Sequence, residues 1–301
     1  VNGDGLEDVY LCQIGGLRNR LWLRQQDGTL EEALESGLGI RDNTCGALFL
    51  DFDGDKDRDA VLSTAVGVVF FQNDGAGGFS EVKRFENIPH GFGMAASDYD
   101  QDGDLDLFIC QYYSSQKNGE DDSRGSFPDP YPVYDATNGG QNVLLRNEGR
   151  WIFIDATDGA GLEAGNNRFS YIPIWEDFDN DGDQDLFLGR GTGAHFLFRN
   201  EGGGRFLDVT STANVGGVWV STAAAFDYDN DGFVDLILGR YLDPRTSLPD
   251  TNFYTRNGQG ASLLKNRGDL VFQDVTEEAG IDETGLNLGI SCADWDLDGD
   301  Q

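Results

Sequence analysis

The chain has 301 residues, enough for one large domain or two ordinary ones, and sets 54 Asp plus Glu against 21 Lys plus Arg for a formal net charge of −33. That balance excludes a nucleic-acid surface, which needs the opposite sign, while 39% hydrophobic and 12% aromatic content excludes a disordered acidic tail. No apolar run reaches the ~20 residues that span a bilayer, so no direct membrane insertion is expected of this stretch.

In chain order, one acidic motif keeps returning. It starts as VNGDGLEDVYL (1–11), then recurs as DFDGDKDRDAVL (51–62), DYDQDGDLDLFI (98–109), DFDNDGDQDLFL (177–188) and DYDNDGFVDLIL (227–238), and ends as DWDLDGDQ (294–301). Copies begin at Asp51, Asp98, Asp177, Asp227 and Asp294, giving intervals of 47, 79, 50 and 67 residues. The basic period is 47–50 residues, and the two long intervals hold insertions at 114–140 and 243–260. Because the chain opens inside one motif and stops inside another, it reads as a fragment of a longer repeat array.

A second element follows each motif in register: VVFFQNDGAGGFSEV (68–82), NVLLRNEGRWIFIDAT (142–157), HFLFRNEGGGRFLDVT (195–210) and SLLKNRGDLVFQDVT (262–276). The N-D-G, N-E-G and N-R-G tripeptides supply residues that tolerate positive φ, as hairpin turns require. The flanking runs are short, rich in β-branched and aromatic residues and partly alternating, which predicts strands. Each unit then has four: one before the acidic loop (170–177 in the third complete unit), one after it, and two in the second hairpin. The predicted fold is all-β, a β-propeller of four-stranded antiparallel blades with about five blade units in this chain. Full units are expected at 44–90, 91–165, 169–215 and 218–282, with three strands of one at the start and one strand (287–295) at the end. Either the chain is an arc of a larger ring, the preferred reading, or the last strand completes the first unit and closes a small ring.

Aligned, the acidic loop reads D-x-D-x-D-G-x-x-D. Carboxylates at positions 1, 3, 5 and 9 form a dense set of hard oxygen ligands, which suits Ca²⁺; Mg²⁺ would keep more water and fewer protein ligands. The candidate ligands are Asp51, Asp53, Asp55 and Asp59; Asp98, Asp100, Asp102 and Asp106; Asp177, Asp179, Asp181 and Asp185; and Asp227, Asp229, Asp231 and Asp235. Two partial loops add Asn2, Asp4 and Asp8 at the start and Asp294, Asp296 and Asp298 at the end. One Ca²⁺ per loop is expected, with four complete loops. Position 7 varies from Asp57, Asp104 and Asp183 to Phe233, so it can offer only its backbone carbonyl. Gly at position 6 permits the left-handed turn, except that Lys56 stands there in the 51–59 loop, which predicts weakest binding at that site. An EF-hand is excluded, because its position-12 Glu is replaced by Leu62, Ile109, Leu188 and Leu238 in strand-like runs.

The hairpin D-x-D-x-D-G-x-x-D-L followed by N-x-G and F-x-D-V-T resembles the FG-GAP (VCBS) repeats across essentially the whole chain. That resemblance implies a single FG-GAP/VCBS domain over 1–301, an integrin-α-like propeller of about seven blades in the parent protein, and calcium in the hairpin loops. The segments DATDGAGL (155–162) and DVTEEAGI (274–281) most resemble the ASPIC/UnbV (cartilage acidic protein-like) branch. The resemblance is weak for activity.

No catalytic constellation is recognisable. His90 and His195 occupy different points of the repeat, which favours turn or packing roles, and GISCA (289–293) fails as a nucleophile elbow. Cys12, Cys45, Cys110 and Cys292 show no metal-binding spacing and could form up to two disulfides or sit as buried thiols. The 114–140 insertion carries Phe127, Tyr131 and Tyr134 between prolines, either to pack on the blade edge or to meet a sugar or protein. Two function classes stand: a non-catalytic adhesion or interaction module with a protein or glycan partner, and a carbohydrate-binding or polysaccharide-active propeller. Calcium chemistry and possible disulfides predict a secreted, cell-surface or periplasmic location.

Overall fold

Each repeat folds as one antiparallel sheet. The computed structural model describes residues 1–113, 135–163, 165–191, 193–217, 219–241, 258–281 and 285–293. The first sheet has three strands, β1 (Val9–Leu11), β2 (Arg20–Arg24) and β3 (Leu30–Glu32). Four four-stranded sheets follow: β4 (Thr44–Leu50), β5 (Asp59–Thr64), β6 (Gly67–Asn73) and β7 (Phe79–Phe85); then β8 (Gly91–Ser97), β9 (Asp106–Gln111), β10 (Val143–Asn147) and β11 (Phe153–Asp155). The last two are β12 (Ser170–Glu176), β13 (Asp185–Arg190), β14 (Phe196–Asn200) and β15 (Phe206–Asp208), and β16 (Val220–Phe226), β17 (Asp235–Arg240), β18 (Ala261–Asn266) and β19 (Phe272–Asp274). Strands pair in sequence order within every sheet. The first strands β4, β8, β12 and β16 lie against one another, so the sheets fan out from a shared inner edge as the blades of a propeller arc.

Cores lie between blades, and strand alternation builds them. In β9, Leu107 and Ile109 face back to Val61, Val68 and Phe70 of the preceding blade. Phe108 and Cys110 face forward to Trp175, Leu186 and Leu188 of the next. Strands β5, β9 and β13 are buried at every position. That explains why they read as unbroken apolar runs rather than alternating ones: both faces are covered. Single helical turns α1 (Thr157–Ala160) and α2 (Thr210–Ala213) follow the fourth strands of two blades. The D-x-T sequence sets them up, because Asp155 Oδ1 accepts from Thr157 N–H while Thr157 Oγ1 accepts from Leu144 N–H.

Three expectations are corrected or answered. The described part of the expected last strand, 287–293, carries no strand pairing. It nonetheless sits where a further inner strand would start, since Asn287 N–H donates to Arg240 O as His90 N–H donates to Thr64 O. All four cysteines are unpaired thiols. The turn asparagines do not take positive φ; Gly75, Gly149, Gly202 and Gly268 do, and the asparagines have another task, described below. Of the 114–140 insertion, 114–134 with its three aromatics lies outside the described residues, as does 242–257. Both insertions leave from the ends of second strands (β9, β17), the face opposite the acidic loops.

Candidate metal centres

Each of the four complete acidic loops joins the inner strand of its blade to the second strand, so position 1 follows the last inner-strand residue and position 9 opens the next strand. The loop is wrapped by two left-handed residues, not one. Position 6 adopts φ +96° at Gly103, +95° at Gly182 and +90° at Gly232, and Lys56 takes the same region at +79°. Position 4 is also left-handed, at Gly54, Gln101, Asn180 and Asn230. The Asn pair was a visible signal for this, since Asn tolerates that conformation best after Gly.

The backbone orients the carboxylates. Asp98, Asp177 and Asp227 each accept N–H groups from positions 5 and 6 at 2.8–3.1 Å. In the loop with Lys56 the pattern shifts, and Asp51 accepts from Gly54 and Lys56 instead. Position 9 is anchored on both oxygens. Asp185, fully buried, accepts from Phe178 N–H at 3.1 Å and Asn200 N–H at 2.8 Å, and Asp59, Asp106 and Asp235 repeat this. Position 5 turns one oxygen to the position-7 N–H, as in Asp181 to Asp183 at 2.9 Å.

The result is a carboxylate triad per complete loop. Asp51, Asp53 and Asp59; Asp98, Asp100 and Asp106; Asp177, Asp179 and Asp185; and Asp227, Asp229 and Asp235 each bring one oxygen apiece within 4.8 Å of one another. The position-5 residues Asp55, Asp102, Asp181 and Asp231 are not in these groups. In the partial first loop, Asn2 Nδ2 donates to Asp4 at 3.0 Å, and Asp8 accepts from Arg24 N–H at 2.9 Å. Asp294, Asp296 and Asp298 lie outside the described residues.

These donors fit a cation. Asp100 Oδ1 and Asp179 Oδ1 are buried acceptors with no hydrogen-bond partner, and such an orphan is costly unless something positive meets it. Burial first, then neighbouring carboxylates, push Asp53, Asp100 and Asp179 above the usual range. Burial likewise raises Asp59 to about 6 and Asp106 and Asp185 to about 7. The two other loops are partly self-satisfied: Gln72 donates to Asp53 at 2.6 Å. Lys265 places its ammonium against Asp229 and 2.8 Å from Asp231, and through that contact holds Asp231 below the usual carboxylate range.

A pH prediction follows for the metal-free protein. A carboxyl with a raised folded pKa holds more protons folded than unfolded, so stability falls as pH rises from the unfolded value near about 4 through about 7. Thermal melts with chelator should therefore give a higher midpoint at about pH 5 than at about pH 7.5. A flat or opposite trend would show that burial does not govern Asp106 and Asp185.

The loops are also wired to neighbouring blades. Asn73, Asn147, Asn200 and Asn266, all buried, donate Nδ2–H to the position-2 carbonyl of the preceding blade's loop: Val1, Phe52, Tyr99 and Phe178. The same amide reaches the position-8 carbonyl of its own loop, as Asn200 does to Gln184 at 3.2 Å. Position-2 rings pack on the fourth strand of the next blade, Phe52 on Phe153, Tyr99 on Phe206 and Phe178 on Phe272. Position-4 side chains add contacts between loops: Gln101 to Gly182 O and Asn180 to Gly232 O, both 2.9 Å.

A profile of the FG-GAP-like repeat matches residues 1–62, 51–109 and 177–238, together more than half of the chain. A search of curated proteins finds no match. Among solved structures, the chain is similar to the crystal structure of the V. cholerae biofilm matrix protein Bap1, with 14% identity and a TM-score of 0.44 over 88% of this chain and 38% of that one. It is also similar to BBS1N in complex with ARL6DN, with 10% identity and a TM-score of 0.38 over 85% of this chain and 73% of that one. This chain thus spans well under two thirds of the Bap1 chain, 38%.

Proposed function

The chain belongs to the FG-GAP-like repeat family, and on that premise we propose that it is a calcium-binding propeller arc serving as a non-catalytic adhesion or protein-interaction module outside the cytoplasm. The observation that carries the calcium reading is the fourfold recurrence of one carboxylate triad, two of the four with a buried, partnerless oxygen. Calcium, when bound, supplies the charge and the six to eight coordination positions that such oxygen ligands fill. The residues at positions 1, 3 and 9 would hold it, with position 5 joining through its second oxygen. Because each loop also holds its neighbour through Asn and a position-2 aromatic, the ion's role is to stiffen the joint between blades. A rigid arc suits a docking surface. The segments 155–162 and 274–281 support placing the chain in the ASPIC/UnbV branch, with a protein or glycan as partner. Among the described residues no helix is long and apolar enough to cross a membrane.

Calcium titration by calorimetry tests the ligand assignment. The 98–106 and 177–185 loops should be the tight pair, and Asp100→Asn should remove one tight site. Lys265→Gln should tighten its own loop roughly tenfold by removing a resident cation, whereas Lys56→Gly should raise fold stability by about 1–2 kcal/mol, because Lys56 already holds the left-handed conformation without the ion. Unchanged stoichiometry in Asp100→Asn would overturn the ligand set.

A carbohydrate reading is supported by one feature. Phe92, 40% exposed, meets Tyr112, Tyr113 and Tyr171 with ring centroids 5.2–5.9 Å apart on the insertion face, and exposed aromatics stack on sugars. A glycan array with a lyase and hydrolase screen separates the two readings, since reproducible turnover would displace the non-catalytic one.

A further inference from the structure

The blade of β12–β15 departs from a side-chain pairing found in two other units. At the end of the second strand of two other units, an Asn side chain accepts a backbone N–H and passes its own N–H to a hydroxyl on the next blade. Asn19 accepts from Gln13 and donates to Thr44 Oγ1 at 2.7 Å. Asn142 accepts from Gln111 and donates to Ser170 Oγ at 3.0 Å. The equivalent residue here is His195, whose Nδ1 accepts from Arg190 N–H at 3.2 Å. Its counterpart on the next blade is Val220, the first residue of β16, which offers no hydroxyl. Gln111, whose side chain is satisfied by Pro89 O at 2.8 Å, is replaced by Arg190 and in the following blade by Arg240.

Four substitutions, at Arg190, His195, Val220 and Arg240, thus leave four buried groups without partners: His195 Nε2, Arg190 Nε, Arg190 Nη1 and Arg240 Nε. With Nδ1 acting as acceptor, Nε2 carries the proton, so all four are N–H donors. His195 is fully buried and Arg190 is 3% exposed. Burial and the two arginines hold His195 neutral, down to about 3, and burial pulls Arg190 down to about 9. Two of the residues converge on Gly217: a Cβ placed there would lie 3.2 Å from His195 Nε2 and 3.6 Å from Arg240 Nε. Arg190 adjoins them through its backbone bond to His195, and Gly216 beside Gly217 is exposed. Arg168, the other nearby guanidinium, is already paired with Asp135. Arg190 lies 3.8 Å over the Phe196 ring, and Asp135, Asp208 and Asp274 act on the two arginines without accepting from these donors. In a chain of net charge −33, buried donors that no carboxylate accepts ask for an anion from outside.

We propose that Arg190, His195 and Arg240 bind an oxyanion, a sulfate or carboxylate group, on the face opposite the acidic loops. The six residues of β13 separate it from Asp185 by about 17 Å, so it is independent of metal in the loops. The two sources of such an oxyanion, an inorganic ion and an acidic sugar, are tested separately. Calcium-replete protein is titrated with sodium sulfate and with sodium glucuronate at constant ionic strength in chloride, read by calorimetry. At least one should saturate in the millimolar range. The triple variant Arg190→Gln, His195→Asn, Val220→Ser restores the pairing of the neighbouring blades and should fold at least as stably. It should bind roughly tenfold or more weakly, the equivalent of losing at least one charge-assisted hydrogen bond. Arg240→Gln is a second variant with the same expected loss. Absence of saturation by both anions in the wild-type protein, or a loss smaller than tenfold in the variants, overturns the site.

Discussion

Removing calcium with EGTA is expected to lower the melting temperature by about 10 °C or more, a larger effect than that of most single substitutions. Three carboxylates with oxygens inside 4.8 Å recur in four loops. At an effective dielectric of about 20, two unit charges at that spacing repel by roughly 3 kcal/mol, so the metal-free loop is strained unless it takes up protons. A ligand present at a hundredfold over its Kd stabilises the native state by about 2.7 kcal/mol per site, and a domain of this size loses about 2–4 °C per kcal/mol. The two tight loops alone therefore account for the shift. Magnesium at equal concentration should restore less, because the triads are built from many protein oxygens rather than retained water. An unchanged melting curve after EGTA would remove the metal reading altogether.

The loops and the fold were legible because their signals are local. Charges at positions 1, 3, 5 and 9 and a glycine at 6 recur at a fixed period, and four of the units so marked became four complete sheets. What escaped the sequence is what passes between blades. Asn200 and Tyr99 meet across 101 positions, Asn147 and Phe52 across 95, and no short-range pattern announces either. The asparagines were therefore read as turn formers, although the glycines beyond them take the positive φ. Lys265 stands 36 positions from Asp229, so its cation could not be assigned to the loop. The left-handed position 4 was missed for a different reason: Gly, Gln and Asn look like free variation until the backbone angle unites them. His195 looked like a packing residue, and it is buried as expected. Its significance lies in Val220, which stands where Thr44 and Ser170 supply a hydroxyl in two other units.

Replacing Asn200 by Ala is expected to cost about 4–6 kcal/mol, read by urea denaturation with calcium present. The side chain is 1% exposed and has no slack. Its Nδ2 donates to Tyr99 O at 2.8 Å and Gln184 O at 3.2 Å, and its Oδ1 accepts from Gly202 N–H at 3.1 Å. Truncation loses three hydrogen bonds worth about 1 kcal/mol each and leaves buried groups unsatisfied, at about 1–3 kcal/mol more. Asn200→Asp keeps the shape but turns an acceptor toward two carbonyls, and should cost at least as much. Asn180→Ala, which removes an exposed contact to Gly232 O, should stay within about 1 kcal/mol of wild type. The decisive readout is remote. Tyr99 is position 2 of the 98–106 loop, so Asn200→Ala should weaken calcium binding at that loop, one blade away, by several-fold. A stability cost below about 1 kcal/mol, or an unaltered affinity at the 98–106 loop, would mean that the blades are held by their apolar cores alone and that the ion does not stiffen the joint.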